Sequence, residues 1–291
     1  MMRLLYDIVS DAFFDTLKLL PFLFLTYLAM EWLEHRTGSR ALAVIRKAGR
    51  AGPLCGGIAG IIPQCGFSTA AANLYSGGVI TAGTLAAVFL STSDEMLPIF
   101  LSEAVPPLTI ACILGIKAGL AVISGFLFDF LYHRYIRREI RYKNIHTMCE
   151  SEHCKCEEGI LQSALRHTLH ITLFIFFISI VLGFLIESAG MERLRAAVFD
   201  LPVVGEMLAA LIGMIPNCAA SVFITELYVE GLIGVGPMMS GLLAGAGMGS
   251  LVLCRINKKH PKQNFLLLLF VYLISVFWGI VLDFFPVSFA L

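Results

Sequence analysis

The sequence predicts an all-α, polytopic membrane protein built from two inverted-topology repeats, with broken helices at Pro63 and Pro216. Three observations predict this fold class: an internal duplication, an apolar composition, and basic residues distributed differently in the two halves. The composition excludes an ordinary soluble domain, and the duplication indicates two related units. The distribution of basic residues predicts that the two units cross the membrane in opposite orientations.

The duplication is clearest in one short motif. The segment GIIPQCGFS, Gly60 to Ser68, returns as GMIPNCAAS, Gly213 to Ser221, 153 positions later. Between residues 60–83 and 213–236, ten of 24 positions are identical. In the first copy these are Gly60, Ile62, Pro63, Cys65, Ser68, Leu74, Tyr75, Gly78, Ile80 and Gly83. Chance would give only about two or three matches between such apolar stretches, so we interpret the similarity as a true repeat. The first repeat covers 1–143, a loop 144–162, and the second repeat 163–291.

The composition is that of a protein dissolved in lipid. The chain of 291 residues is 58% hydrophobic and 14% charged, with a mean hydropathy of +0.83, whereas soluble domains carry charge on about a quarter of their residues. No charged residue or histidine lies between Ala51 and Ser93, a run long enough for two passages at about 20 residues each.

The N-terminal segment does not have the uninterrupted apolar core of a signal peptide, because it contains Asp7, Asp11 and Asp15. We therefore expect a multi-pass protein of the cell membrane, plasma or inner, that retains its first helix.

The basic residues orient the two halves differently, because Lys and Arg concentrate in cytoplasmic loops. In the first half, basic residues run from Arg36 to Arg50 after the first helix and from Arg134 to Lys143 after the helix at 107–132. In the second half, they run from Arg255 to Lys262, just before the last helix, at 263–285. Equivalent loops thus face opposite sides, each half crosses an odd number of times, and both termini lie outside. The sequence leaves open whether the middle of each half crosses the membrane or dips and returns.

Each copy of the motif places a proline two residues before a cysteine, at Pro63 and Cys65 and at Pro216 and Cys218. A proline inside an apolar helix removes a backbone donor and breaks the helix. Broken backbone at membrane depth is tolerated where it lines a cavity or is buried in protein. Two thiols near a pseudo-two-fold axis would form a soft-ligand site for arsenite-like, zinc-like or copper(I)-like species. The alternative is a small buried cysteine beside an ordinary proline kink.

Polar residues follow the two cysteines at matching positions. Ser68 and Ser221 lie about one turn further along each helix, and Asn73 and Glu226 lie eight residues beyond the cysteines. We include all four in the candidate substrate site, where Asn73 and Glu226 offer oxygen ligands that suit a harder ion such as manganese(II). The residues leave a soft and a hard substrate open, and the paired thiols favour the soft one.

The segment STSDE ends the long charge-free run with Asp94 and Glu95. An acidic residue at the membrane centre costs about 2.5 to 3.5 kcal/mol on insertion scales, so such residues usually face a cavity and handle ions or protons. Lys117, inside the helix at 107–132, could pair with either acid. We interpret these three residues as a proton- or cation-coupling group. The alternatives are a membrane-edge loop for the two acids and a side chain that snorkels to the interface for Lys117.

The central loop reads HTMCESEHCKCEEG and holds His146, Cys149, His153, Cys154 and Cys156 within eleven residues. Thiolate and imidazole groups bind metals, so these residues are candidate metal ligands. Their spacing matches no zinc-finger pattern, and a solvated polar linker is the alternative. As a metal site, the loop would capture or sense the ion before transport.

Other function classes find no support in the sequence. It contains no GxxxxGK[ST], HExxH or GxSxG pattern, so we expect neither ATP binding nor an enzyme, and we expect no cofactor. Membrane topology and lipid headgroups explain the basic stretches without nucleic acid. The expected partners are the transported ion and membrane lipid, and a homo-oligomer is left open.

With the paired IPQC and IPNC motifs, the STSDE turn and the Cys/His-bearing loop in view, the chain resembles the family of ten-helix heavy-metal exporters. Members of that family are described as arsenic efflux proteins or manganese transporters, and the likeness covers nearly the whole chain. The resemblance implies five crossings in each half, which agrees with the odd number inferred from charge. The chain is also distantly similar to the organoarsenical permeases, which carry adjacent cysteines after a proline. Here Gly66 follows Cys65 and Ala219 follows Cys218, which argues against trivalent organoarsenicals as the substrate.

These observations predict a gradient-driven secondary transporter that exports an arsenite-like or manganese-like ion. Rocking of one repeat against the other would alternate access to a midplane site. The alternative is a membrane-embedded metal sensor, in which the central loop binds metal and the helices transmit the signal.

Overall fold

The computed structural model describes residues 51–61, 65–93, 96–136, 203–258 and 260–284, with scattered helical residues between 9 and 28 and between 165 and 181. The secondary structure within these residues is helical throughout, which confirms the all-α prediction for this part of the chain. The helices of the first half are α1 (Gly52–Ala59), α2 (Cys65–Ser76), α3 (Ala82–Ser91), α4 (Met96–Ser102) and α5 (Pro107–Ile136). Those of the second half are α6 (Val204–Gly213), α7 (Cys218–Val229), α8 (Val235–Ala244), α9 (Met248–Ile256) and α10 (Pro261–Phe284).

The same order of helices occurs in both halves: two interrupted helices followed by one long helix. The duplicated motif lies at the first interruption of each half. In the second half, α6 ends at Gly213, the backbone bends through Pro216, and α7 begins at Cys218, as the proline predicts. In the first half, α1 ends before residue 60 and α2 begins at residue 65, and Pro63 lies outside the described residues.

Three described segments are long and apolar enough to cross a membrane: Pro107–Arg134, Val235–Ile256 and Pro261–Phe284. The middle segment contains the interruption between α8 and α9. Large apolar side chains such as Phe265 and Phe130 are exposed on the outside of the long helices. An outer surface of this kind is stable in lipid and would be costly in water.

Glycines allow the short helices to approach each other closely at equivalent positions. A Cβ added to Gly60 would lie 2.9 Å from the carbonyl oxygen of Val88, and one added to Gly213 would lie 2.0 Å from that of Gly241. Val88 and Gly241 are themselves 153 positions apart and are therefore repeat equivalents. Small residues at helix contacts are the usual means of close packing within a membrane.

An aspartate on each long helix binds the start of the neighbouring short helix. Asp129 of α5 accepts hydrogen bonds from the Gly83 N–H at 2.8 Å and from the Thr81 hydroxyl at 2.7 Å. Asp283 of α10 accepts one from the Gly236 N–H at 2.9 Å. A carboxylate at a helix N-terminus satisfies an unpaired donor and faces the positive end of the helix dipole. The same contact thus fixes α3 on α5 and α8 on α10.

The two halves meet in two ways: their long helices contact each other, and short helices of one half pack against short helices of the other. Trp278 of α10 donates a hydrogen bond to the Ser124 hydroxyl of α5 at 2.9 Å, and Phe128 and Phe270 have ring centroids 4.6 Å apart. Moving towards the C-terminus of α5 therefore means moving towards the N-terminus of α10, so the two helices run in opposite directions along their contact. The short helices also pack across the boundary, α2 on α9 and α4 on α7.

Candidate functional site

A cavity lies at the boundary between the two halves. Its volume is about 360 Å³, counted with the open space at its mouth. The residues that line it are Thr92, Ser93, Met96 and Lys117 of the first half and Gly213, Ile215, Asn217, Ser221, Leu242, Gly245 and Gly247 of the second. Both repeats are needed to form it.

The cavity forms where helices are interrupted. Thr92 and Ser93 follow the end of α3, and Gly245 and Gly247 follow the end of α8, at equivalent places in the repeat. Gly247 has φ +53° and ψ −148°, a conformation that essentially requires glycine. Non-helical backbone at membrane depth is expected to line a cavity of this kind.

Lys117 places an ammonium group on the cavity wall. Its side chain is 1% exposed and donates a hydrogen bond to the Thr92 carbonyl. Thr92 caps the C-terminus of α3, and the negative end of the helix dipole favours a cation there. The side chain does not extend to the edge of the molecule, so the snorkelling alternative is wrong. Its predicted partners, Asp94 and Glu95, lie outside the described residues.

The second copy of the duplicated motif lines the cavity with two polar residues. Asn217 lies in the bend before α7, and Ser221 lies in the first turn of that helix. The backbone of Cys218 lies between them in the chain. The side chains of Cys218 and of its equivalent, Cys65, lie outside the described part of the structure. Ser221, which the motif predicts as a substrate-site residue, therefore lies on the cavity wall.

The described part of the first copy packs tightly against α9. Ser68 is fully buried, and a Cβ added to Gly249 of α9 would lie 2.7 Å from the Ser68 carbonyl oxygen. The repeat equivalent of Gly249 is Met96, which lines the cavity together with Ser221. Glycine lets α2 and α9 touch, whereas the methionine side chain borders the cavity. The two predicted serines therefore have different surroundings.

Asn73 and Glu226, the predicted oxygen ligands, do not line this cavity. Asn73 is fully buried in α2, whereas Glu226 is exposed on α7. Although the two positions are equivalent in the repeat, the structure places them in different environments and does not bring them together at the described site.

Three cavity residues were missed as site residues: Thr92, Ser93 and Asn217. The first two belong to the STSDE segment, for which the prediction rested on the two acidic residues and did not include the hydroxyl groups. Asn217 has a clearer signal, because the residue between proline and cysteine is a carboxamide in both copies, Gln64 and Asn217. A polar side chain repeated inside an apolar run indicates a site.

The predicted metal ligands of the central loop, His146, Cys149, His153, Cys154 and Cys156, lie outside the described residues. Within the described ranges, no three His, Cys, Asp or Glu residues come together in a way that could hold a metal ion. Cys55, Cys112 and Cys254 are free and exposed on the helix surfaces. They are natural control positions for experiments on the motif thiols.

The comparison with protein families identifies the chain. Residues 1–191 match the family described as "Putative, 10TM heavy-metal exporter". No curated protein and no solved structure shows significant similarity to the chain. The family match covers well over half of the 291 residues, and the apolar helices α5 and α10 are able to span a membrane. The chain is therefore a multi-pass membrane protein that belongs to the ten-transmembrane-helix family of heavy-metal exporters.

Proposed function

We propose that the protein is a gradient-driven secondary transporter that exports an arsenite-like ion through the cavity between its two halves. The observation that carries the proposal is the meeting of the interrupted helices of both halves at one cavity, part of whose wall is polar. Transporters built from repeats bind their substrates at the repeat interface, typically between discontinuous helices. A site bounded by two halves opens to one side or the other when the halves rock.

The directions of the long helices support an inverted relation between the repeats. The pairs Ser124–Trp278 and Phe128–Phe270 have opposite sequence order on α5 and α10. Helices that occupy the same place in two repeats and run antiparallel are related by an axis perpendicular to them. In a membrane-spanning pair, such an axis lies near the membrane plane, as inverted-topology repeats require.

The cavity lining supports a metalloid substrate. Thr92, Ser93, Asn217 and Ser221 offer hydroxyl and carboxamide groups that can hydrogen-bond the hydroxyls of arsenous acid, which is uncharged at neutral pH. Cys218 begins the helix that carries Ser221, and thiolate is the preferred ligand of soft ions. We propose that Cys218 and its equivalent provide sulfur ligands along the transport path. Manganese(II) would instead depend on carboxylate oxygens.

Coupling to a gradient is assigned to the STSDE segment and Lys117. Lys117 contacts the carbonyl of Thr92, which lies two residues before Asp94. We propose that Asp94 or Glu95 exchanges a proton or cation and that Lys117 responds to the change in charge. Because Lys117 lies on the cavity wall, this response would reach the substrate.

Transport in vesicles tests the proposal. Proteoliposomes holding the purified chain are loaded with arsenite, manganese, zinc or cadmium, and efflux is measured with and without a proton gradient. We expect gradient-dependent arsenite efflux that is lost in Cys218→Ser and kept in the matched exposed variants Cys112→Ser and Cys254→Ser. Efflux of manganese alone, insensitive to the motif cysteine, would favour the hard substrate. Flux of none of the four would contradict the exporter.

The same assay separates the exporter from a metal sensor. Exchange of Cys149, Cys154 and Cys156 for serine removes the thiols of the central loop but leaves the helices unchanged. An exporter keeps its flux after this exchange, whereas a protein controlled by metal in the loop loses it.

A further inference from the structure

A second polar site lies outside the cavity, in the first turn of α6. The Glu206 side chain is 2% exposed, and it lies near the backbone N–H groups of Val203 and Glu206. Its Oε2 atom has no hydrogen-bond donor among the described residues. A buried carboxylate oxygen without a donor is unfavourable. This oxygen therefore requires a proton or another cation.

The carboxyl group next to Glu206 belongs to Asp283 of α10. Two ionised carboxylates side by side repel each other, and a proton on one of them replaces the repulsion with a hydrogen bond. Asp283 also accepts a hydrogen bond from the Gly236 N–H at the start of α8. The positive end of α8 stabilises negative charge on Asp283. The shared proton therefore belongs on Glu206.

Comparison with the first repeat explains why a proton is needed here. There, the Thr81 hydroxyl donates to Asp129 at 2.7 Å. The equivalent of Thr81 is Gly234, which has no side chain, and Glu206 contacts Asp283 instead. A protonated carboxyl group on Glu206 provides the O–H donor that threonine provides in the other half.

The surroundings favour a proton over a metal ion. Within the described ranges, no third His, Cys, Asp or Glu residue joins the pair, and hard cations need six or more oxygen ligands. The helix start at Gly236 is positively polarised and disfavours a cation. Of the helices packed on α6, α8 carries no titratable side chain, and α7 carries the buried Tyr228 and the exposed Glu226. Tyr272 of α10 donates its hydroxyl to the Met207 carbonyl. Asp283 of α10 is the charged group in contact with Glu206 within the described ranges.

We propose that Glu206 is a proton-binding site, which holds a proton at neutral pH and exchanges it with the surroundings through Asp283. Glu206 is buried, and Asp283 is exposed, so the aspartate provides the route outward. The inference does not depend on the identity of the transported ion, and its tests need no transport activity.

Infrared spectroscopy of the full chain in lipid nanodiscs tests the protonation state directly. A protonated carboxyl group has a carbonyl stretching band separate from those of carboxylates, and this band shifts in heavy water. We expect the wild-type protein to show the band at neutral pH and Glu206→Gln to lose one carboxyl's contribution. Asp129→Asn, the matched variant whose aspartate has a hydroxyl donor, should leave it unchanged. Equal band intensity in wild type and Glu206→Gln would overturn the proposal.

Thermal unfolding as a function of pH provides a second readout. When Glu206 loses its proton, two negative carboxyl groups face each other, so the stabilisation is present at low pH and is lost as pH rises. In Glu206→Gln the amide donates to Asp283 at every pH. We therefore expect a flatter profile from mildly acidic pH, where the unfolded chain loses this proton, up to the pH at which the folded chain loses it. Parallel profiles of the two proteins would contradict the proposal. A rise in unfolding temperature with added manganese in wild type but not in Glu206→Gln would show a metal site instead.

Discussion

Trp278 Nε1 donates a hydrogen bond to Ser124 Oγ at 2.9 Å, and these two residues occupy equivalent positions in the two repeats. Their neighbours Gly125 and Gly279 show the same correspondence in sequence. In the inverted-repeat arrangement proposed above, the axis relating the repeats would pass close to this contact. The centre of the α5–α10 interface would then be the pivot of the proposed movement of one half against the other.

The first prediction concerns this hydrogen bond. Ser124→Ala removes the acceptor, and Trp278→Phe removes the donor but keeps an aromatic ring. We expect each to lower the free energy of unfolding by about 1 kcal/mol, and the double variant to cost clearly less than the sum. The measurement is a double-mutant cycle from chemical unfolding in detergent micelles. Additive effects would show that the bond does not couple the halves.

The second prediction concerns Lys117. Lys117→Met keeps an unbranched side chain of similar length but removes the ammonium group that contacts the Thr92 carbonyl. We expect ion efflux from vesicles to fall by at least about tenfold, equivalent to ~1.4 kcal/mol, because the substituted group lies on the cavity wall. Lys262→Met, at an exposed position on α10, is the matched control. Similar efflux in both variants would exclude a transport role for Lys117.

The third prediction concerns the close contact between α2 and α9. The Cβ of Gly249→Ala would lie 2.7 Å from the Ser68 carbonyl oxygen and 2.8 Å from the Phe89 ring. Overpacking of this kind costs about 1 to 3 kcal/mol. Gly119→Ala on α5 meets no atom within 4 Å, so it should stabilise the protein by about 0.5 to 1 kcal/mol through helix propensity. Unfolding temperatures that shift in the same direction would contradict the described packing.

The fourth prediction concerns Asp129. Asp129→Ala leaves the Gly83 N–H and the Thr81 hydroxyl without their acceptor. Hydrogen bonds to a charged group are worth about 1.5 to 3 kcal/mol each, so we expect a loss of stability of at least about 2 kcal/mol. Asp129→Asn keeps one acceptor oxygen and should lose less. The order can be checked by thermal unfolding of the two variants side by side, and a reversed order would be incompatible with the contact.

The sequence could predict the helical membrane class and the place of the break at Pro216, because both follow from local chemistry. A long apolar run without charge requires lipid, and proline inside it interrupts the hydrogen-bond ladder. Two of the residues it singled out, Ser221 and Lys117, line the cavity. It could not predict that Ser68 would be closed off, since this depends on Gly249, 181 positions away in the chain.

The sequence alone determined that this chain is a duplicated membrane protein, because composition and internal similarity are properties of the residues themselves. It also determined membership in the heavy-metal exporter family. The tertiary structure decided that Asn217 and Ser221 line a cavity and that Ser68 packs against α9, since these contacts join helices far apart in the chain. It also decided that Glu206 meets Asp283. Two carboxyl groups 77 positions apart share a proton only when helices from different parts of the chain bring them into contact.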